Sequence, residues 1–426
     1  MSTAFESVST AQMVDCVDQG EATLIDVRPI DAYNGWPQPG QRRGGHLPGA
    51  RTLPAHWADY IDWIEIVRDK GLAPEQPLII YGADDGDVDR VASQFRRAGF
   101  DRVSVYRHFA DQWCERDELP LATMPRYRYL VSPHWLADRQ QADDRSVVVC
   151  HCHYRNPGDY DQGHVPGALA LDTNWLESAE TWNRRNPTEL RAVLERLGIR
   201  VDSTVVLYGR FSHPRNSDPF PGSSAGHLGA FRCAFILMYA GVRDVRMLNG
   251  GMQGWQDAGM PVSTDAVEPE QAVDFGAEIP GRPELAVDVP EARLMLAADD
   301  ANLVCVRSYP ELIGEVSGYN YIEKKGRIPG AVFANCGSDA YHMENYRNLD
   351  HTTREYAEVE AEWRRLGITP DRHNAFYCGT GWRGSEAFFN AWLLGWNQIA
   401  VFDGGWFEWS SDPSNPVETG IPEAMA

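Results

Sequence analysis

One short motif occurs three times along the chain: Gly45-His46-Leu47-Pro48-Gly49-Ala50, Gly163-His164-Val165-Pro166-Gly167-Ala168 and Gly326-Arg327-Ile328-Pro329-Gly330-Ala331. Proline fixes φ and glycine permits a tight bend, so each copy reads as a structured turn. Its recurrence across 426 residues means that the fold is built of repeated units. The flanks repeat as well. A β-rich run precedes each turn, at residues 23–28, 146–150 and 302–307, and another follows, at 77–82, 204–209 and 375–379. A helix-like segment comes next in each unit, then a last strand at 102–106, 244–248 and 398–402. The second and third of these run into Gly250-Gly251-x-x-x-Trp255 and Gly404-Gly405-x-x-x-Trp409. Short apolar strands alternating with helices predict a buried, mainly parallel sheet flanked by helices, an α/β architecture repeated three times. Linkers are expected near 122–126 and 266–283, which divides the chain into 1–124, 125–270 and 271–426.

Composition narrows the function. The net charge of −22 repels phosphate backbones, which argues against nucleic acid. The first residues lack a basic region followed by an apolar one, and the longest apolar stretch, 233–242, is too short to span a bilayer. A cytoplasmic protein with no membrane contact is expected. Its eight cysteines then read as free thiols rather than disulfides. Cys150-His151-Cys152-His153 is the one tempting metal cluster. Strand alternation sends its neighbours to opposite faces and no second ligand pair follows at zinc-like spacing, so no metal is expected.

Only the third unit places a cysteine where its second β-run ends. The first reads Tyr81-Gly82-Ala83-Asp84-Asp85 and the second Tyr208-Gly209-Arg210-Phe211-Ser212, but the third reads Tyr377-Cys378-Gly379-Thr380-Gly381-Trp382-Arg383. The glycines let successive backbone N–H groups curl inward, and a helix expected over 384–394 directs its N-terminus at the same point. Such a nest favours an anion, so Cys378 is pushed toward thiolate, and a persulfide on it is stabilised as well. Arg383 adds positive charge.

These features together resemble the rhodanese family, across nearly the whole chain. The resemblance implies three tandem rhodanese-like domains: two inactive ones that serve as scaffold and pocket wall, and a catalytic third. It implies a sulfurtransferase that carries sulfur as a covalent persulfide on Cys378 and needs no other cofactor. Four residues separate Cys378 from Arg383. Rhodanese-fold phosphatases have a loop one residue longer, sized for phosphate, so the shorter loop argues for sulfur. Gly379, Thr380 and Gly381 are neutral where thiosulfate enzymes often place basic residues.

The Cys-Gly-Thr-Gly-Trp-Arg loop in the last of several such domains is similar to a narrower group, the anaerobic ergothioneine synthases, which transfer sulfur from polysulfide to imidazole C2 of hercynine, the trimethylated histidine. That resemblance implies a proton-transfer role for Tyr319, an imidazole contact for Thr380, and dispensable roles for Cys305 and Cys336. Trp382 and Tyr377 flank the cysteine and are the nearest aromatic candidates for holding a trimethylammonium group. Two alternatives stay open. One is a thiosulfate or 3-mercaptopyruvate sulfurtransferase acting on cyanide or thiols; the other is a persulfide carrier or sulfide-sensing interaction protein.

Overall fold

The computed structural model describes residues 5–142, 146–211, 224–272 and 274–422, so that Ser212 of the second repeat lies outside the described residues. Each repeat builds one five-stranded sheet. The strands are β1 (Glu6–Ser7), β2 (Thr23–Asp26), β3 (Arg51–Thr52), β4 (Leu78–Tyr81) and β5 (Val103–Tyr106) in the first. In the second they are β6 (Leu130–Val131), β7 (Val147–His153), β8 (Leu169–Asp172), β9 (Thr204–Gly209) and β10 (Asp244–Leu248). In the third they are β11 (Ala286–Val287), β12 (Ala301–Cys305), β13 (Val332–Phe333), β14 (His373–Tyr377) and β15 (Ile399–Phe402). All pairings are parallel. The three orders, β1-β5-β4-β2-β3, β6-β10-β9-β7-β8 and β11-β15-β14-β12-β13, are one topology written three times. Helices on both faces bury these strands, which is why they read as apolar runs rather than as alternation.

The recurring turn has the same job in each copy. The Ala50 N–H donates to the Leu47 carbonyl, Ala168 to Val165 and Ala331 to Ile328, with positive φ at Gly49, Gly167 and Gly330. That is a type II turn, with proline and glycine where its dihedrals require them. The turn is then pinned to the middle of the sheet. The Leu47 N–H donates to the Tyr81 hydroxyl at 3.0 Å and the Val165 N–H to the Tyr208 hydroxyl at 2.8 Å. In the third repeat the Ile328 N–H lies against the Tyr377 hydroxyl. A tyrosine at the end of the central strand is therefore a structural element of every repeat.

A helix follows each central strand: α1 (Asp85–Arg97), α2 (Ala225–Ala240) and α3 (Trp382–Leu393). The helix expected over 384–394 begins two residues earlier than its sequence suggests, because Gly381 takes a left-handed φ of 88° and turns the chain directly into it. The short helix α4 (Gly405–Ser411) follows the third repeat's last strand. Two compact units result, Met1–Arg128 and Tyr129–Ala426. Within the second unit, α2 packs on α3 through Phe231 on Phe389 and Phe235 on Phe388, with ring centroids 5.6 and 5.8 Å apart. Among the described residues, no helix is long and apolar enough to cross a membrane.

Candidate active site

Cys378 leaves the sheet at the carboxyl end of β14, the edge at which open α/β sheets gather ligands. The alternation of the strand decides which neighbour joins it. Tyr377 turns into the third repeat's core with Cys305, Ile328 and Phe402, so it stands in the packing rather than at the loop. The Cys378 thiol is buried, which opposes ionisation. The Arg383 guanidinium and the backbone N–H groups of Gly384, Thr380 and Arg383 outweigh that penalty and hold the thiol below the ordinary cysteine value.

The loop's carbonyls are tied back on the other side. The Trp406 N–H donates to the Cys378 carbonyl at 2.8 Å and the Phe407 N–H to the Gly379 carbonyl at 2.9 Å. The Gly-Gly-x-x-x-Trp segment thus fixes which way the peptide groups of the loop point, and its Trp409 anchors in turn on the Pro416 carbonyl. Gly381 is confined from behind: a Cβ there would meet the Arg232 guanidinium and the Asp403 carbonyl, both at 2.9 Å.

Arg383 organises the front of the site. Its guanidinium makes a two-pronged pair with Glu311, at 2.9 and 2.8 Å, donates to Cys336 Sγ at 3.1 Å and donates to the Tyr319 hydroxyl at 2.6 Å. Glu311 is buried, which raises its carboxyl, yet Arg383 keeps it below the usual carboxylate range. Glu311 also accepts from the Ser308 N–H and hydroxyl, so the cap of a short helix doubles as the support of the arginine. Burial pushes the Cys336 thiol up to about 12, against the pull of Arg383, which leaves it a neutral acceptor for the guanidinium.

Tyr319 lies directly on the loop. A Cβ at Gly379 would overlap its phenol ring, so glycine is required there by the approach of the tyrosine. Burial pushes the Tyr319 hydroxyl well above its ordinary value, with Arg383 opposing, so it is a neutral phenol. Tyr321 and Tyr341 stand beside it at centroid distances of 5.2 and 6.4 Å. Burial raises the Tyr321 hydroxyl too, while a hydrogen bond with the Thr380 side chain lowers it.

The structure therefore brings Cys378, Gly379, Thr380, Arg383 and Tyr319 together. Gly381 forms the back of the loop. Trp382 faces the second repeat, where its indole N–H donates to Glu177 at 3.0 Å and its ring meets Tyr154 edge-on at 5.4 Å. Sequence reading missed Glu311, Tyr321 and Tyr341, and missed the second repeat's Trp182, which stacks on Tyr321 at 4.3 Å. The Ser308-x-x-Glu311 spacing signals a helix cap, but nothing in it points to Arg383. Among the described residues, no group of three or more His, Cys, Asp or Glu is placed to hold a metal ion.

A model of the rhodanese-like domain matches residues 9–116, 132–258 and 288–412. The chain belongs to the rhodanese family. It is 40% identical over 417 residues to the thiosulfate sulfurtransferase YnjE of Escherichia coli (strain K12), covering 96% of this chain and 91% of that protein. It is a sulfurtransferase. Solved structures of EanB are more similar still. A complex of an EanB variant with ergothioneine superposes with a TM-score of 0.95 at 53% identity, covering 99% of this rhodanese and 100% of that chain. A complex of another variant with hercynine gives 0.94 at 54%, covering 98% and 99%. In a third, also at 0.95 and 54% and covering 99% and 100%, ergothioneine is covalently linked to a persulfidated cysteine.

Proposed function

We propose that this rhodanese takes sulfur from polysulfide onto Cys378 as a persulfide and transfers it to imidazole C2 of hercynine, giving ergothioneine. One observation carries the reading: the Tyr319 phenol lies on Gly379 of the Cys378 loop and takes a hydrogen bond from Arg383, while the Thr380 hydroxyl of the same loop bonds Tyr321. It is supported by the EanB variants solved with these ligands, which alter a cysteine, a tyrosine, a threonine and two further cysteines. The sequence separations among those five match those among Cys378, Tyr319, Thr380, Cys305 and Cys336.

The chemistry follows from the residue types. The Cys378 thiolate attacks a terminal sulfur of polysulfide, and the shortened polysulfide leaves. Tyr319, its hydroxyl already taking a hydrogen bond from Arg383, manages the proton at one ring nitrogen, and Thr380 fixes the other. With the C2 proton removed, C2 attacks the outer sulfur of the persulfide. The S–S bond breaks, the pair returns to Cys378, and the loop N–H groups receive the thiolate. The proton goes back to the ring, leaving a thione. Gly379, Gly381, Trp382 and Arg383 shape and charge the loop, and Tyr377 supports it from the core. In this reading the domains are 1–124, 125–270 and 271–426, the enzyme is cytoplasmic, and the persulfide is its only prosthetic chemistry.

The test is anaerobic incubation of the protein with polysulfide and hercynine, with mass spectrometry of the small molecules. A product heavier than hercynine by one sulfur atom supports the reading. Persulfidated Cys378 without such a product removes hercynine as acceptor. It would then favour a thiosulfate or 3-mercaptopyruvate sulfurtransferase, the class to which the 40% identical relative belongs.

A further inference from the structure

The loop that carries Cys378 rests on a buried charge cluster supplied mainly by the second repeat. Arg232 of α2 has no exposed surface. Its Nε donates to Glu177 at 2.9 Å, and its Nη2 pairs with Asp403 at 2.5 Å and donates to the Trp182 carbonyl. Its remaining nitrogen, Nη1, makes no hydrogen bond and lies against Gly381. Glu177, also without exposed surface, accepts the Trp382 indole as well as Arg232. Asp403 begins the segment whose Trp406 and Phe407 amides hold the loop carbonyls. It is gripped a second time by Arg184, from the backbone N–H at 2.9 Å and the guanidinium at 2.6 Å, and Arg184 continues to Asp288.

Arg232, Glu177 and Asp403 have no exposed surface and Arg184 has little, and each is fixed by more than one partner. A buried set of this kind contributes little net stability over apolar packing, but it specifies geometry. Its contacts fall on both ends of the loop, at Gly381 and Trp382 directly and at Cys378 and Gly379 through the Asp403 segment. None of its members touches the thiol.

We propose that Arg232, with Glu177, is a positioning residue for the sulfur-carrying loop. The second repeat has glycine where the third has its cysteine, and it acts by setting the angle at which the third repeat's amides meet the sulfur. This rests on the persulfide role proposed for Cys378, but not on hercynine as acceptor.

The experiment measures persulfide loading of Cys378 by polysulfide against pH, by intact-protein mass, and thione formation at varied hercynine, in full-length Arg232→Met, Arg232→Lys and Trp382→Phe. The expected result for Arg232→Met is an upward move of the loading midpoint, because misdirected amides stabilise the thiolate less. Its kcat should fall between about ten- and a hundredfold with KM little changed. Arg232→Lys should recover part of both. Loss of folded protein would reduce the amplitude of loading without moving its midpoint. Should Arg232→Met fail to fold, Trp382→Phe, which keeps the ring and removes the donor to Glu177, should shift the midpoint the same way. A wild-type midpoint and kcat in a folded Arg232→Met, or in Trp382→Phe if the first does not fold, overturns the proposal. Wild-type protein that loads persulfide but yields no thione sinks the acceptor assignment alone and leaves the loading profile to decide this one.

Discussion

The first and third repeats share a sheet order, a type II turn and a tyrosine at the end of the central strand, yet their helix N-termini are used in opposite ways. In the first, α1 is capped by Asp84, whose carboxylate accepts the Asp87 N–H at 3.0 Å, so the protein's own anion occupies the helix end. In the third, α3 is capped by Gly381, which has no side chain, and the N–H groups of its first turn are left to Cys378. The cysteine position has also closed. Gly82 follows Tyr81 as Cys378 follows Tyr377, and a Cβ at Gly82 would press on Val27 at 2.8 Å and Val88 at 3.3 Å. In the second repeat, a Cβ at Gly209 would run into the Gly226 carbonyl. The first two repeats thus lack more than a thiol: neither matching glycine has room for a Cβ, and in the first the helix donors are taken by Asp84.

Four substitutions test this contrast. The largest effect belongs to Cys378→Ala, expected to reduce thione formation by more than about a thousandfold. In the parent protein, persulfide loading should persist at pH values below the ordinary thiol range and fall away only as the pH drops through the depressed Cys378 value, since the thiolate is the nucleophile. Tyr319→Phe comes next. Transfer to the acceptor should fall by about a hundredfold or more while persulfide loading stays near the parent rate, because the proton is needed only in the second step. Equal losses in both steps, read by rapid-quench mass spectrometry, would take the proton role away from it. Gly82→Cys, the attempt to reawaken the first repeat, should cost about 1–3 kcal/mol of stability by overpacking and acquire no persulfide. A persulfide found at residue 82 after proteolysis would break the contrast. The smallest effect is that of Asp84→Ala, a loss of about 1 kcal/mol in denaturant unfolding, with sulfur transfer unchanged.

Much of this was legible in the residues. The three Pro-Gly turns gave the repeat, and the apolar runs gave strands whose observed limits lie within three residues of the expected ones. The Cys-Gly-Thr-Gly-Trp-Arg loop located the candidate nucleophile because glycine spacing, a strand end and a helix start are local properties. Tyr319 was named through resemblance, since an unstructured Gly-Tyr-Asn-Tyr run has no local signature of its place above Gly379. Tyr377 shows the opposite failing. Adjacency to Cys378 suggested the site, but in a strand adjacent side chains point to opposite faces, and Tyr377 went to the core.

The sequence by itself determined the threefold α/β plan, the one cysteine set at a central strand's end before a glycine-rich loop, and the sign of the charge around it, because periodicity, turn chemistry and loop length act over a few residues. Only the tertiary structure decided that Glu311 would hold Arg383 and that Arg232 and Glu177 of the second repeat would lie against Gly381 and Trp382. Those contacts join residues far apart in the chain, at separations where no local rule operates and where burial forces each charge to find its partner in space.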